Sequence, residues 1–544
     1  MIKTIFFSAN PDKIPAQGYW DQALLVDILS MSIFKNMEAP DGAVVVIPAP
    51  YQGEYIKEIN TELSKYKWVL LFLTSDEEGK FPVEKIKHPN IKIWVQYPKQ
   101  GKHDKYGKLP LGYTTETRKN LLLTEKTLDV FYSGQNTHAR REMCYKALEP
   151  LRKEVKYMFV ENTKGFSQGQ KPNEYMANMS NAKAAPAPSG PVSADSFRAY
   201  EALEAGAVPI ADNISLAGDA DYFHYLFGDV PFPTLNAYAD LPGYILDVLE
   251  NYPVINNRVQ AWWIKKKWDL AWQFFKDIES LTEFAPGAPI NRHNQTITTI
   301  IPVSPIKSHP STEILEKTIE SVRYHLPDSE IIITFDGVRE EQEDMRNDYE
   351  EFIRRALFLC NTKWDAIPII FNEHTHQVGM ARVALEEVKT PLILYMEQDT
   401  PLVMDLPIDW NKLSLEILLE KANVIRFHFE ARIPDEHKHL MLGEPENELL
   451  KTAQWSQRPH LASTSFYKYI LRKNFSDEAR CFIEDKLHGV LQQDFSEMGT
   501  RGWDLWKLFI YYPDPKNIKR SLNNDGRAGG KKYVLLQGEI MLTL

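Results

Sequence analysis

Cysteine is scarce in this 544-residue sequence, which has only Cys144, Cys360 and Cys481, far apart and without metal-ligand spacing. An odd, scattered set excludes a disulfide framework and a cysteine-built zinc site, and fits a reducing cytoplasm. Positive charge is also short: 63 Lys and Arg against 74 Asp and Glu leave a net charge of -11. That balance disfavours a polyanion held through phosphate contacts, so no nucleic-acid partner is expected. Long apolar runs are missing as well. No uncharged apolar stretch reaches about 18 residues, so no transmembrane segment is expected and any membrane contact is peripheral. Met1 to Asn10 holds one lysine and a short Ile5-Phe6-Phe7 run, too brief for a secretory signal; it reads as a first buried strand. Neither a short-period repeat nor a low-complexity tract is present.

What is present is ordinary globular composition, 43% hydrophobic and 25% charged. At roughly 150 residues per domain the length suggests three or four globular units. Short β-branched or aromatic runs at Thr4–Phe7, Ala43–Ile47, Trp68–Leu73 and Ile91–Val95 alternate with helical periodicity over Asp21–Lys35 and Gly53–Lys65. Such alternation predicts parallel sheets with helices on both faces and binding sites at the strands' carboxyl ends. The first lobe covers about residues 1–120. A second, about 121–285, has strands at Asp129–Tyr132 and Tyr157–Val160, a helix at Thr137–Glu149, and a helix-then-strand unit from Asp195 to Ile210. Residues 252–285 carry Trp262, Trp263, Trp268, Trp272, Phe274 and Phe275 and read as a packed helix. A Pro/Gly linker at 286–295 precedes a third α/β unit over 296–544, with strands at Thr296–Val303, Ile331–Phe335, Ile369–Phe371, Leu392–Met396 and Val424–Phe429.

In the C-terminal half, the apolar strand Leu392–Met396 runs into Glu397-Gln398-Asp399. In extended chain an i, i+2 spacing puts both acids on one side, where oxygen ligands can bind a divalent cation that would neutralise a leaving diphosphate. The alternative is a solvated strand end. Glu484 and Asp485, after Phe482-Ile483, are candidates for a general base, or else the acidic first turn of a helix. The strand Val424–Phe429 would set Arg426, His428 and Glu430 on one face, toward an acceptor sugar or toward solvent. Asn523 to Lys532, with Arg527 among its cations and glycines, reads as a mobile lid over a diphosphate or as a frayed basic tail.

Together, Pro302-Val303-Ser304, Asp336-Gly337, Gly379-Met380-Ala381-Arg382 and the Glu-Gln-Asp motif resemble the GT-A nucleotide-diphospho-sugar glycosyltransferases. The resemblance implies that Asp336 contacts the base or ribose, Arg382 fixes the donor, Asp399 assisted by Glu397 binds Mn²⁺ or Mg²⁺, and Asp485 is the base with Glu484 as substitute. It also implies a further metal ligand from the C-terminal region, a place that Asp525 or water would fill.

In the N-terminal half, Met179 to Ile210 reads as a Ser/Gly loop, a capped helix, a glycine C-cap and a buried strand. A helix N-terminus with Arg198 in its first turn suits a diphosphate without metal, and Glu201 one turn on can reach ribose hydroxyls. The Pro188-Ser189-Gly190 loop, Arg198, Glu201-Ala202 and Gly206-Ala207-Val208-Pro209-Ile210 closely resemble the exostosin family of GT-B glycosyltransferases. By that resemblance Ser193, Ser196, Arg198 and Glu201 hold the nucleotide diphosphate; Arg140 or Arg141 would face the phosphates. Asp21, Glu54 and His103 are candidate bases by loop position alone.

The fold class expected is therefore α/β: a GT-B unit of two Rossmann-like lobes followed by a GT-A domain. The expected function is a bifunctional glycosyltransferase extending a polysaccharide or glycan from two nucleotide sugars, UDP-sugars foremost, in the cytoplasm of a bacterial or viral system. The alternative is a monofunctional GT-A enzyme whose N-terminal half binds acceptor or serves as scaffold. A non-enzymatic glycan-binding protein and a transferase acting on modified DNA are more distant rivals.

Overall fold

The computed structural model describes residues 3–9, 20–35, 37, 39–49, 52–165, 168–218, 220–283, 296–524, 533–536 and 539–542. The chain divides into two compact units, Met1–Asn291 and Arg292–Leu544. The linker expected at 286–295 lies outside the described residues.

The first unit contains two parallel sheets. One runs in sequence order: β1 (Thr4–Phe6), β2 (Gly42–Pro48), β3 (Trp68–Thr74), β4 (Ile91–Gln96) and β5 (Gly107–Leu109). Every residue of β2 and β3 is buried, as expected for strands covered on both faces. β1 departs from the buried strand expected: it is an edge strand and Phe6 is 46% exposed. With a neighbour on one side only, it lacks the cover that buries β2.

The other sheet comprises β6 (Leu128–Gln135), β7 (Met158–Thr163), β8 (Ala182–Ala187), β9 (Val208–Asp212) and β10 (Thr234–Leu235), in the order β10-β9-β8-β6-β7. Here the sequence reading needs correction, because β8 falls in a segment expected to be loop. Alanine and proline are poor strand formers. The residues are nevertheless a buried central strand because their small side chains let Met176, Met179, Ala202 and Ala205 of the flanking helices pack closely against it. Pro186 lies beyond the last register pair with β6, Val130–Ala184, so its missing N–H interrupts no bond there.

The helix Val254–Glu283 is the expected aromatic one, with Trp263, Trp268, Phe274 and Phe275 buried. It serves both sheets. Phe274 meets Trp94 and Phe72 edge-on at 4.7 and 4.8 Å, and Trp94 Nε1 donates to Asp277 at 2.8 Å. At its other end Trp263 Nε1 and Lys267 Nζ donate to the fully buried Glu204 at 2.7 and 2.6 Å, and Arg118 Nη1 completes the set at 2.8 Å.

The second unit carries one mixed sheet of eight strands: β11 (Ile297–Val303), β12 (Glu330–Phe335), β13 (Ala366–Ile370), β14 (Leu392–Tyr395), β15 (Val424–Arg426), β16 (Leu449–Lys451), β17 (His460–Ser463) and β18 (Leu508–Tyr511). Their order is β13-β12-β11-β14-β17-β15-β18-β16. The first four are parallel, and β17 runs antiparallel between β14 and β15. β16, β17 and β18 have no counterpart in the sequence reading, and β15 ends at Arg426 rather than Phe429. Among the described residues no helix is long and apolar enough to cross a membrane.

Glu204 sets a stability prediction. Burial opposes its charge, but Lys267 and Arg118 overcome that and bring its pKa down to about 2. A depressed carboxylate stabilises fully above its ordinary value near 4.5 and loses that contribution as pH falls toward 2. Glu204→Ala should lower the N-terminal unit's stability by about 3–5 kcal/mol in guanidinium titrations at pH 7, because Lys267 loses the carboxylate that offsets its burial and Arg118 falls back on Asp27.

Candidate functional site

In an open α/β sheet, ligands bind beyond the carboxyl ends of strands at the point where strand order reverses. Two such points occur here, between β11 and β14 and between β6 and β8.

At the first, β14 ends at Tyr395 and Glu397-Gln398-Asp399 forms a turn instead of continuing the strand. The one-sided extended geometry expected for Glu397 and Asp399 does not hold. Side-chain tethers impose the turn: Gln398 Nε2 donates to Ser304 O beyond β11 at 3.1 Å, and Thr318 Oγ1 donates to Gln398 O at 2.6 Å. Asp399 is buried and Glu397 half-buried. Asn524 N–H reaches Asp399 O at 2.8 Å.

Gln377, which sequence reasoning missed, joins this turn to the acidic helix start. Its Nε2 donates to Glu397 Oε1 at 2.8 Å, while its Oε1 accepts the Ile483 N–H at 3.0 Å. Ile483 opens the helix Ile483–Met498, whose first turn bears Glu484 and Asp485. Glu484 Oε2 accepts the Gln457 N–H at 2.9 Å. Asp485 is exposed and lies within electrostatic reach of His376. Arg458, also missed, feels the charges of Glu397, Glu484, Asp399 and Glu430 in that order.

Other expected residues are engaged by the chain itself. The Asp336 carboxylate accepts N–H groups from Gly337, Thr375 and His376 at 2.9, 2.7 and 3.2 Å, and His374 Nδ1 is 2.9 Å away. It thereby ties the end of β12 to the start of the helix His376–Glu387. Arg382 donates to Ser476 O, Leu471 O and Phe475 O at 2.7, 3.1 and 2.8 Å, holding the carbonyl end of the helix Thr464–Asn474. Arg527 and Asp525 lie outside the described residues. Among the described residues no group of three His, Cys, Asp or Glu side chains is arranged to hold a metal. The turn offers two carboxylates, a set that fits Mg²⁺ or Mn²⁺ when substrate phosphates and water complete the shell.

At the second point, Arg198 Nη2 donates to Ser133 O at 2.8 Å and its guanidinium lies 5.1 Å from the Tyr132 ring. Its Nε and Nη1 are buried without a hydrogen-bond partner among the described residues. Glu201 Oε2 accepts from Tyr175 OH at 2.9 Å, and burial raises the Glu201 pKa. Arg141 stands near Arg198: burial, then the Arg198 charge, push its pKa down. Arg140, in contrast, is paired with Asp212.

Ser193 Oγ accepts the Asp195 N–H at 3.1 Å, a local turn. Ser196 precedes the helix Phe197–Ala205 but makes no side-chain cap, correcting the capped helix expected. The Ala199 N–H closes that turn on Ser196 O at 3.1 Å instead. Gly206 adopts the left-handed conformation expected of the C-cap, φ 71°.

Of the base candidates, Asp21 is buried with its pKa raised by burial, and Ser75 Oγ donates to it. Glu54 is exposed, and His103 Nδ1 accepts the Lys99 N–H at 3.1 Å. Glu77, missed three residues after β3, lies against the second sheet's loop: burial raises its pKa, and the Ser193 and Val192 backbone N–H groups work against that.

No protein-family model matches the chain, and no curated protein matches it. Among solved structures it is similar to S. aureus TarS 1–349, with 12% identity over 42% of this chain and 60% of that one, TM-score 0.27. The crystal structure of S. aureus TarS 1–349 in complex with UDP-GlcNAc gives 11%, 43%, 59% and 0.27. The longer S. aureus TarS structure gives 10%, 42%, 37% and 0.26. The aligned part spans less than two thirds of each TarS chain. Scores this low carry no inference, and the two sites stand on their own residues.

Two measurements check this geometry. Gln377→Leu leaves the Ile483 N–H without its partner, so the unit should lose about 2 kcal/mol and amide exchange at Ile483 should accelerate. Burial lowers the pKa of His428 and His460 to about 4 each. Depressed values mean that stability is full above the ordinary 6.5 and falls as pH drops toward 4. Each histidine should contribute a slope of about 1.4 kcal/mol per pH unit between those limits, and His460→Gln should reduce the slope measured in urea titrations.

Proposed function

We propose that the chain is a bifunctional glycosyltransferase that extends a glycan or polysaccharide from nucleotide-sugar donors, UDP-sugars foremost. Its C-terminal site, in a GT-A domain over 296–544, is metal-dependent, and its N-terminal site, in an exostosin-like GT-B unit over 1–285, is not. The observation that carries this reading is the switch-point turn Glu397-Gln398-Asp399, tied through Gln377 to the first turn that bears Glu484 and Asp485.

In the C-terminal site Asp399, with Glu397, would hold Mn²⁺ or Mg²⁺, which when bound neutralises the diphosphate leaving group. Asp336 fixes the loop against which the nucleotide lies. Asp485, exposed and without a hydrogen-bond partner among the described residues, takes the proton of the acceptor hydroxyl. The acceptor oxygen then bonds the anomeric carbon as the bond to the diphosphate breaks. Glu484, held by the Gln457 amide, orients that helix start.

In the N-terminal site the unpartnered Nε and Nη1 of Arg198 donate to diphosphate oxygens, and Arg141 adds a second charge. Two guanidiniums so close supply the neutralisation that the metal gives in the other site. Glu201, steadied by Tyr175, accepts from ribose hydroxyls.

The test is a donor-hydrolysis and transfer screen on wild type, Asp399→Ala and Arg198→Ala/Glu201→Ala, with and without Mn²⁺. Two donors are expected: one lost with Asp399 and dependent on Mn²⁺, the other lost with Arg198 and Glu201 and indifferent to it. Each variant should lower its own activity by about 100-fold or more. A single donor would overturn bifunctionality and leave the monofunctional alternative, with the inert variant identifying the scaffold half.

A further inference from the structure

β15 and β17 continue to pair past the end of regular strand. Arg426 is opposite His460, and the Phe427 N–H donates to Pro459 O at 2.8 Å. That register sets His428 across from Arg458, so strand alternation puts Arg426, His428, Arg458 and His460 on one face. Arg426 and His428 are each 5% exposed and His460 is fully buried. With both histidines neutral at pH 7, the face carries two guanidinium charges; burial pushes Arg426 down to about 10, Glu484 opposes that shift and Arg458 adds a smaller push in the same direction.

Arg426 lacks the full set of hydrogen-bond acceptors that a buried cation demands, and the half-buried Arg458 has Glu397, Glu484, Asp399 and Glu430 as charge neighbours. Arg426 Nη2 donates to Gln454 Oε1 at 3.1 Å, but its Nε is buried with no acceptor among the described residues. Arg458 lays its guanidinium 3.9 Å from the centre of the Phe429 ring, which supports its flat face and leaves its N–H edge open. Glu484 is near both, yet its Oε2 is turned to the Gln457 N–H. Two adjacent forks with open N–H groups are completed by a planar or tetrahedral oxyanion. Their place points to the acceptor side: β15 is two strands from the β11/β14 switch point, and the carboxylate nearest in charge to Arg426 is Glu484, the neighbour of Asp485.

We propose that Arg426 and Arg458 form an oxyanion subsite for a carboxylate or phosphate carried by the acceptor, so that the C-terminal unit glycosylates an anionic chain. The assignment of that side to the acceptor rests on the reading of Asp485 as base.

Calorimetry on the full chain, with and without saturating UDP and Mn²⁺, should compare methyl glucuronide, glycerol phosphate and neutral methyl glucoside. At least one anion should bind tenfold or more tighter than the glucoside, and the stronger of the two identifies the oxyanion. Arg458→Gln, on the more open residue, should abolish that preference, Arg458→Lys should keep part of it, and UDP affinity should stay within twofold. Equal affinity for charged and neutral ligands would overturn the proposal. So would an Arg458→Gln variant that loses UDP affinity tenfold while still preferring the anion, because the arginine would then belong to the donor diphosphate. Failure of wild type to bind UDP, with anion preference intact, would remove the donor reading and leave the subsite standing.

Discussion

A parallel sheet covered by helices on both faces leaves its polar side chains one place to meet a ligand, the ends of its strands. That constraint governs the first unit and the parallel strands β11 to β14 of the second. β2, β3, β11 and β12 are buried along their whole length, so nothing chemical can happen on their faces. The acids and arginines gather instead in the turns beyond β6, β8, β12 and β14. Those turns are held by side chains from distant parts of the chain, such as Gln398 on Ser304 and Gln377 on Ile483.

In the proposed reading the two candidate sites would meet the same electrostatic problem, a bound diphosphate, with different groups. In the C-terminal unit Glu397 and Asp399 line the place proposed for a diphosphate, so in that reading a divalent cation would offset their charge. In the N-terminal unit Arg141 and Arg198 already provide positive charge, and Arg198 keeps two N–H groups free of partners among the described residues. Glu77 adds a tether between the first sheet and the loop at Ser193. The buried triad of Glu204, Arg118 and Lys267 fixes the helix Val254–Glu283 against the second sheet, while Trp94 and Phe72 fix the same helix against the first. One helix shared by both sheets thus helps to set the lobe arrangement in this unit, beside direct links such as the Leu111 N–H on Asp195.

Much of the fold was legible in the pattern of residues. Runs such as Trp68–Leu73 and Ile331–Phe335 are strands because continuous β-branched and aromatic stretches have nowhere to go but a covered sheet. The helix that ends at Gly206 stops there because glycine takes a left-handed conformation cheaply. β8 was not legible, since alanine and proline favour a strand only when helices press close on both sides. Nor was β17, which pairs with partners on either side of it that are far away in sequence.

The sequence by itself determined the alternation of strands and helices, the acids after the strand at Leu392, and the placement of Arg198 and Glu201 on one helix, because these depend on neighbours within a few residues. Tertiary structure alone decided that Glu397 and Asp399 sit in a turn, that Asp336 and Arg382 bind their own chain, and that Gln377 joins the acidic segments at 397–399 and 484–485. It also decided that Arg426 and Arg458 share a face, which follows from the register of β15 on β17. Local pattern sets what a segment becomes, whereas hydrogen-bond partners and charge neighbours are fixed only when distant strands choose their register.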